Sequence, residues 1–318
     1  MKVKRLHLYQ SMVAVVFLTT FFSCMGGGGG KEVDTPTYGH IRIGIDDSYK
    51  LMMAAQLDMF HYFYKNATID TLVDSETNII NFFLKDTIEV MVVGRDLTPE
   101  QLQYLRDNTY NARSTRVAVD AVAFVLNKEN KHTNFYYDQI HDMFLGKITS
   151  WDQIDPKLKL GDLRILFDRS GSSNVSYFKE KFNLQEFPGT FSAAMSNEEV
   201  IKYVENNKYA IGIVSVNWIS DPADSISHNF LTRVQTAAIS PIEGSNTPGE
   251  KFYQPYQYYI NDRSYPFTRD VYIVDRQTYS GLGHGLSAFM AGEKGQTIIL
   301  RSGMVPAALP VRVIKFQE

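Results

Sequence analysis

The stretch FDRSGSSN (167–174) sets three hydroxyls, Ser170, Ser172 and Ser173, beside Asp168, Arg169 and Asn174, with one glycine among them. It lies between an apolar run and an amphipathic one, and its side chains are too small and polar to build a core. Three roles suit that composition: a turn, the loop of a serine nucleophile, or a cradle of donors for an anion. The nucleophile is poorly served. A G-x-S-x-G elbow needs glycine on both sides of the serine, and GSSN lacks the second. A serine also needs a positioned base, and none of the seven histidines sits near a matching strand end. The phosphate-loop pattern G-x-x-x-x-G-K-S/T is absent as well.

DDSYK (46–50) and GRDLT (94–98) share the character of that loop. Each closes an apolar run and opens a helical one. In open α/β sheets ligands sit beyond the carboxyl ends of strands, where helix N-termini offer free N–H groups. Singly, Ser48, Thr98 and Ser173 read as helix caps, and Arg95 as an ion-pair partner. Three such loops in one α/β pattern read as an oxyanion cradle. A charge-assisted hydrogen bond contributes roughly 1.5–3 kcal/mol, so several suit a micromolar Kd, about −8 kcal/mol.

The elements that must position these loops follow from periodicity. HIRIGI (40–45) reads as a strand, and Ser48 as the cap of a helix carrying Leu51, Ala55, Met59 and Tyr62–Phe63 on one face. IEVMVVG (88–94) has the near-continuous apolar run of a parallel strand buried on both faces. Thr98-Pro99-Glu100-Gln101 is a helix start with a capping box. Strands are expected over 117–127, 163–167, 209–219 and 269–275. Helices are expected over 175–182, from the Ser196–Glu199 capping box to about residue 205, and over 286–303. Residues 221–249 read as a connecting region. The alternation predicts an α/β protein with mostly parallel sheets.

The chain has 318 residues, 44% hydrophobic and 21% charged, enough for about two domains with a sizeable core. A net charge of −3 argues against a broad nucleic-acid surface. Cys24 is the only cysteine, so no intrachain disulfide and no cysteine zinc site is expected; no H-E-x-x-H pair supports a metal. The first 24 residues join a basic start (Lys2, Lys4, Arg5), an eleven-residue apolar run (12–22) too short to span a bilayer, and Ser23-Cys24. This resembles a lipoprotein signal with Cys24 as the lipidated residue. The glycine-rich tether over 25–37 then links an anchor to a folded domain.

The ordered set GRDLTPEQ (94–101), VAVDAVAFVLN (117–127), GKITSWDQI (146–154), GSSNVSYF (171–178), YAIGIVSVNWI (209–219) and GEKGQTIILRSGMVPA (292–307) resembles the phosphate-binding substrate-binding proteins of bacterial ABC transporters, over nearly all of residues 40–314. The resemblance implies a two-lobed periplasmic-binding-protein fold of class II type. Each lobe would be a mostly parallel sheet flanked by helices, with the ligand cleft between them. Lobe 1 would comprise 38–118 and 235–318, and lobe 2 119–234, closing by hinge motion. Carried over by motif, the ligand residues are Ser48, Ser75, Arg95, Asp96, Ser172, Ser173 and Asn174, with Arg169 as a compensating cation. Asp96 would accept a hydrogen bond from protonated phosphate and repel sulfate; Asp120 reads as structural or hinge-associated. The departures are Asp168 where the family commonly has arginine, Ser173 for glycine, Asn174 for threonine and Gly94 for serine. The implied protein is no enzyme and needs no cofactor or metal. It is a monomer, held at the cell envelope by Cys24 and facing the periplasm, that passes phosphate or a related oxyanion to a permease and binds no nucleic acid. The competing reading is a sensor, scaffold or adhesin with an altered or lost anion site.

Overall fold

The computed structural model describes residues 34–220, 230–242 and 251–308. The signal segment with Cys24, and the tether up to residue 33, lie outside them. The last expected tether residues are not loose. Thr35 and Tyr38 close a tight turn, and the Asp34 carboxylate accepts from Gln277 Nε2 (2.9 Å) and Leu282 N–H (3.0 Å).

In chain order the elements are β1 (Gly39–Asp46), α1 (Lys50–Phe63), β2 (Ala67–Asp74), α2 (Glu76–Leu84), β3 (Val90–Val93), α3 (Pro99–Asp107), β4 (Arg113–Asn127), β5 (Asn134–Phe135) and α4 (Tyr137–Phe144). They continue as β6 (Arg164–Phe167), α5 (Ser173–Lys181), β7 (Phe191–Ala193), α6 (Asn197–Asn206), β8 (Ala210–Ser215), β9 (Val234–Thr236), β10 (Ala238–Ile239), α7 (Gln257–Asn261), β11 (Thr268–Asp275), α8 (Leu282–Ala291), α9 (Glu293–Arg301) and β12 (Val305–Pro306). Local chemistry sets several starts. Thr98 and Gln101 form the expected reciprocal capping box on α3, and the Ser196 hydroxyl caps α6. Asp46, not Ser48, caps the 3-10 turn Asp47–Tyr49 that leads into α1.

The strands run β2-β1-β3-β11-β4-β8-β6-β7. β1 is parallel to β2 and β3, and β6 is parallel to β8 and β7. β11 and β4 run antiparallel to their neighbours. The expectation of mostly parallel sheets holds within each half and fails at the join, because a chain that crosses between lobes must also return. The 15-residue β4 makes the outward crossing: Arg113–Ala121 pair with β11, and Val122–Leu126 with β8. The return lies at Phe267–Thr268, not at residue 235. β9 and β10 pair with β4 and β5, Ile239 bridges Tyr253, and Phe267 packs 5.4 Å from Phe178.

The second lobe has an aromatic core: Phe144 stacks on Phe178 with centroids 4.3 Å apart, and Phe124 meets Phe178 at 5.8 Å. Such pairs contribute about 0.5–1.5 kcal/mol each beyond burial. Phe178 hangs from α5, so this core fixes the helix whose first turn carries the loop 171–174. The single helix expected over 286–303 is two, α8 and α9, meeting at Gly292. The corner is tight: a Cβ on Gly295 would sit 2.4 Å from the Met290 Cα. The strand expected to Ile219 ends at Ser215 and passes into the 3-10 turn Val216–Trp218.

Candidate functional site

Four chain segments meet between the lobes: the end of β1 with its 3-10 turn, the loop 168–174 with the start of α5, the start of α6, and the turn after β8. Asp46, Asp47, Ser48, Asp168, Ser172, Ser173, Asn174, Asn197 and Asn217 are all at most 2% exposed. The Asp46 carboxylate accepts from Ser48 N–H (3.0 Å), Ser173 N–H (3.2 Å) and the Ser173 hydroxyl (2.7 Å). Ser173 Oγ also lies 3.0 Å from Ser48 Oγ. Asp168 accepts from Ser172 Oγ (2.5 Å), Asn174 Nδ2 (3.2 Å), Asn197 Nδ2 (3.1 Å) and Ser48 Oγ (3.5 Å). Asp47 accepts from the backbone N–H and side-chain amide of Asn197, both at 2.9 Å. The Ser48 carbonyl takes hydrogen bonds from Asn217 Nδ2 and from Trp218 Nε1 (3.1 Å).

The electrostatics are acidic. Burial, then the charge of Asp46, pushes the Asp168 carboxyl up to about 7. The same two causes push Glu76 up to about 7, against Arg269 and Arg95 and the hydrogen bond from Gly94 N–H (2.8 Å). Behind this cluster Asp120 of β4 pairs with Arg269 of β11: Nε and Nη2 reach Oδ2 at 3.1 and 2.9 Å, while Oδ1 accepts from Ser215 Oγ (2.8 Å) and Val216 N–H (3.3 Å). Burial raises the Asp120 carboxyl and the guanidinium opposes it. With every lone pair engaged, the geometry fits an ionised pair tying both crossover strands to β8. A cavity of about 910 Å³ lies between the lobes, bordered by Gly94 and lined by residues of both signs, among them Arg116, Lys181, Arg263, Arg269, Glu180 and Asp270. Of its cations, Arg116 pairs with Asp270 (3.2 Å) and Arg269 with Asp120 (2.9 Å).

The structure thus brings together four of the expected residues, Ser48, Ser172, Ser173 and Asn174. Ser75 is buried at the start of α2, with Oγ 3.7 Å from where a Gly171 Cβ would stand, at the edge of the group. Three others are turned elsewhere. Arg95 folds onto its own loop, donating to Asp96 O (2.8 Å) and Gln101 Oε1 (3.2 Å), with Nε 3.9 Å from Glu76. Asp96 is exposed and caps Leu97 N–H at 2.7 Å, so it is not the acidic residue of the cradle. Arg169 crosses to Asp74 (3.3 Å) instead of turning inward to compensate for Asp168. Asp120, read from the sequence as structural or hinge-associated, sits on β4 in the buried pair with Arg269. The sequence reading missed Asp46, Asp47, Glu76, Asn197 and Arg269. DDSYK carried the signal for the first two, in carboxylates preceding a helix start. Nothing local marks the other three.

A family model described as the PBP superfamily domain matches residues 30–294. Among curated proteins, phosphate-binding protein PstS 2 of Streptococcus pneumoniae is 33% identical over 87 residues, 27% of this chain. That match spans only 28% of the Streptococcus protein's length. Phosphate-binding protein PstS of Borreliella burgdorferi is 23% identical over 237 residues, 71% of this chain and 75% of that protein. Of solved structures, a Clostridium perfringens protein with bound phosphate superposes with TM-score 0.70 at 18% identity, covering 85% of this chain and 100% of that one. An ABC-type phosphate transport receptor from Vibrio cholerae gives TM-score 0.60 at 19% identity, covering 83% and 99%. The structural likenesses establish a two-lobed fold of this kind.

Proposed function

The chain belongs to the PBP superfamily, and from that premise we propose that it is a lipid-anchored extracytoplasmic binding protein that captures phosphate or a related oxyanion for an ABC transporter. The observation that carries the reading is the convergence of Ser48, Ser172, Ser173 and Asn174, with the starts of α5 and α6, at one buried point between two lobes. Backbone N–H groups at helix starts, hydroxyls and an amide are the donors an oxyanion takes. The names of the relatives point the same way. The cavity between the lobes supplies an approach. Calorimetric titration with inorganic phosphate, with sulfate in parallel, tests the reading: saturable 1:1 heat with phosphate is expected, and no heat with any oxyanion defeats it. Cys24→Ser is expected to move the protein from the membrane to the soluble fraction.

A second reading, a sensor or scaffold with an altered site, is favoured by one specific observation. The cradle's donors already serve Asp46 and Asp168. It predicts partner binding that survives when oxyanion binding is absent.

A further inference from the structure

We infer that Asp46 is a built-in competitor for the cradle: its carboxylate takes the hydrogen bonds an oxyanion would take, and latches the two lobes until a ligand displaces it. The inference rests on the oxyanion reading only for what does the displacing.

Asp46 ends β1 in the first lobe, and Ser173 starts α5 in the second. The bond to Ser48 N–H is local capping, satisfied by one carboxylate oxygen. The bonds to Ser173 N–H and Oγ span 127 positions and join the lobes, so local capping does not account for them. A carboxylate is the nearest side-chain analogue of an oxyanion, with a negative charge and two acceptor oxygens. Here it is fully buried against two helix-start N–H groups and a hydroxyl.

Shared donors make the two occupants mutually exclusive, and the groups around Asp46 add to the cost of a second anion. Asp47 and Asp168 flank it, Glu76 faces it from α2, and Asp120 and Arg269 from the crossover strands, with Tyr49 between. Arg269 holds Asp120 through Nε and Nη2, and its Nη1 is buried without a partner. An oxyanion taking Ser173 N–H and Oγ needs the very donors Asp46 holds, and beside a buried Asp46 it would crowd a second anion among acidic groups with only Arg269 Nη1 left to that guanidinium, an arrangement burial disfavours. Binding therefore requires Asp46 to leave, which breaks both of its bonds to Ser173. A latch closed nine times in ten lowers apparent affinity about tenfold.

Trp218 reports the latch. It belongs to the second lobe's packing, and its Nε1 donates to Asp47 O (3.2 Å) and Ser48 O (3.1 Å) in the first. The full-length chain in detergent is compared with Asp46→Ala and with Asp46→Asn, which keeps the shape and removes the charge. Acrylamide quenching of tryptophan emission is read without phosphate, and inorganic phosphate is then titrated by calorimetry. Trp218 is expected to become quenchable in both variants with circular dichroism unchanged, and phosphate to bind both about tenfold tighter than the unaltered chain. Trp218 equally shielded in all three proteins overturns the latch. Equal phosphate affinity in all three overturns the competition. Trp218 released in the variants, with phosphate binding none of the three, leaves the latch standing and removes the oxyanion reading.

Discussion

The Ser172 hydroxyl donates to Oδ1 of Asp168 at 2.5 Å, four residues back along the same loop. The position where resemblance placed an arginine therefore holds a carboxylate that is turned inward and saturated by donors. The same loop sends Arg169 away from the site, to Asp74 of the other lobe. The loop is a cradle in its backbone and hydroxyls, filled from within by carboxylates.

This arrangement sets a pH dependence. Asp168 and Glu76 both stand at about 7 in the folded protein, against ordinary values of 3.8 and 4.5. Between those limits the folded state holds protons the unfolded chain has released. Stability is fullest below about pH 4, falls as pH rises to about 7, and is flat above, as far as these two groups decide it. Urea midpoints at pH 5, 6, 7 and 8 check this, and Asp168→Asn is expected to flatten the slope. A midpoint rising from pH 5 to 7, unaltered in that variant, would contradict it.

The Asp120–Arg269 pair predicts an asymmetric pair of mutants. Asp120→Ala leaves a buried guanidinium without its carboxylate and is expected to cost about 3–5 kcal/mol. The double variant Asp120→Leu/Arg269→Met is expected to recover most of it, since the charge leaves with its partner. Urea unfolding of both proteins decides, and a double variant as unstable as the single one would refute the account.

Ser172 has two jobs that can be separated. Its side chain caps α5 by accepting Val175 N–H at 3.3 Å, so Ser172→Ala is expected to lose about 1 kcal/mol of stability. As a cradle hydroxyl it is also expected to lower phosphate affinity about tenfold. Ser170→Ala, two residues away and exposed, should leave both quantities unchanged. Thermal melts and calorimetry on the two variants check the pair of expectations.

Phe178 ties the cradle to the core. It touches the rings of Phe124, Phe144, Phe182 and Phe267. Phe178→Ala is expected to cost about 3–5 kcal/mol, with Phe178→Leu recovering part of it, both read from urea midpoints. A loss under 1 kcal/mol, about the level of a surface change, would show that α5 is held by something else.

Much of the fold was legible because its signals are local. β3 declares itself by the unbroken run VMVV, α3 by Thr98 and Gln101, and the strands beside the lobes by apolar periodicity. The errors came where distant parts of the chain decide. One helix reads through 286–303, since glycine at 292 and 295 is tolerated in a helical pattern. The close approach at Gly295 becomes visible only once α8 and α9 are packed. Likewise a run of strands does not say which of them is antiparallel, and β4 and β11 took that role because they cross.

What the sequence determined by itself was the α/β alternation, the three loops with hydroxyls at helix starts, and the ordered blocks of the family, all written in neighbours a few positions apart. What only the tertiary structure decided was which side chains those loops turn inward. Arg95, Asp96 and Arg169 found partners outside the cradle, while Asp46, Asp168 and Asn197 were drawn into it. The reason is physical. A buried polar group must find its partner wherever the fold brings one, and here those partners stand as far as 171 residues away in sequence, from Asp47 to Trp218.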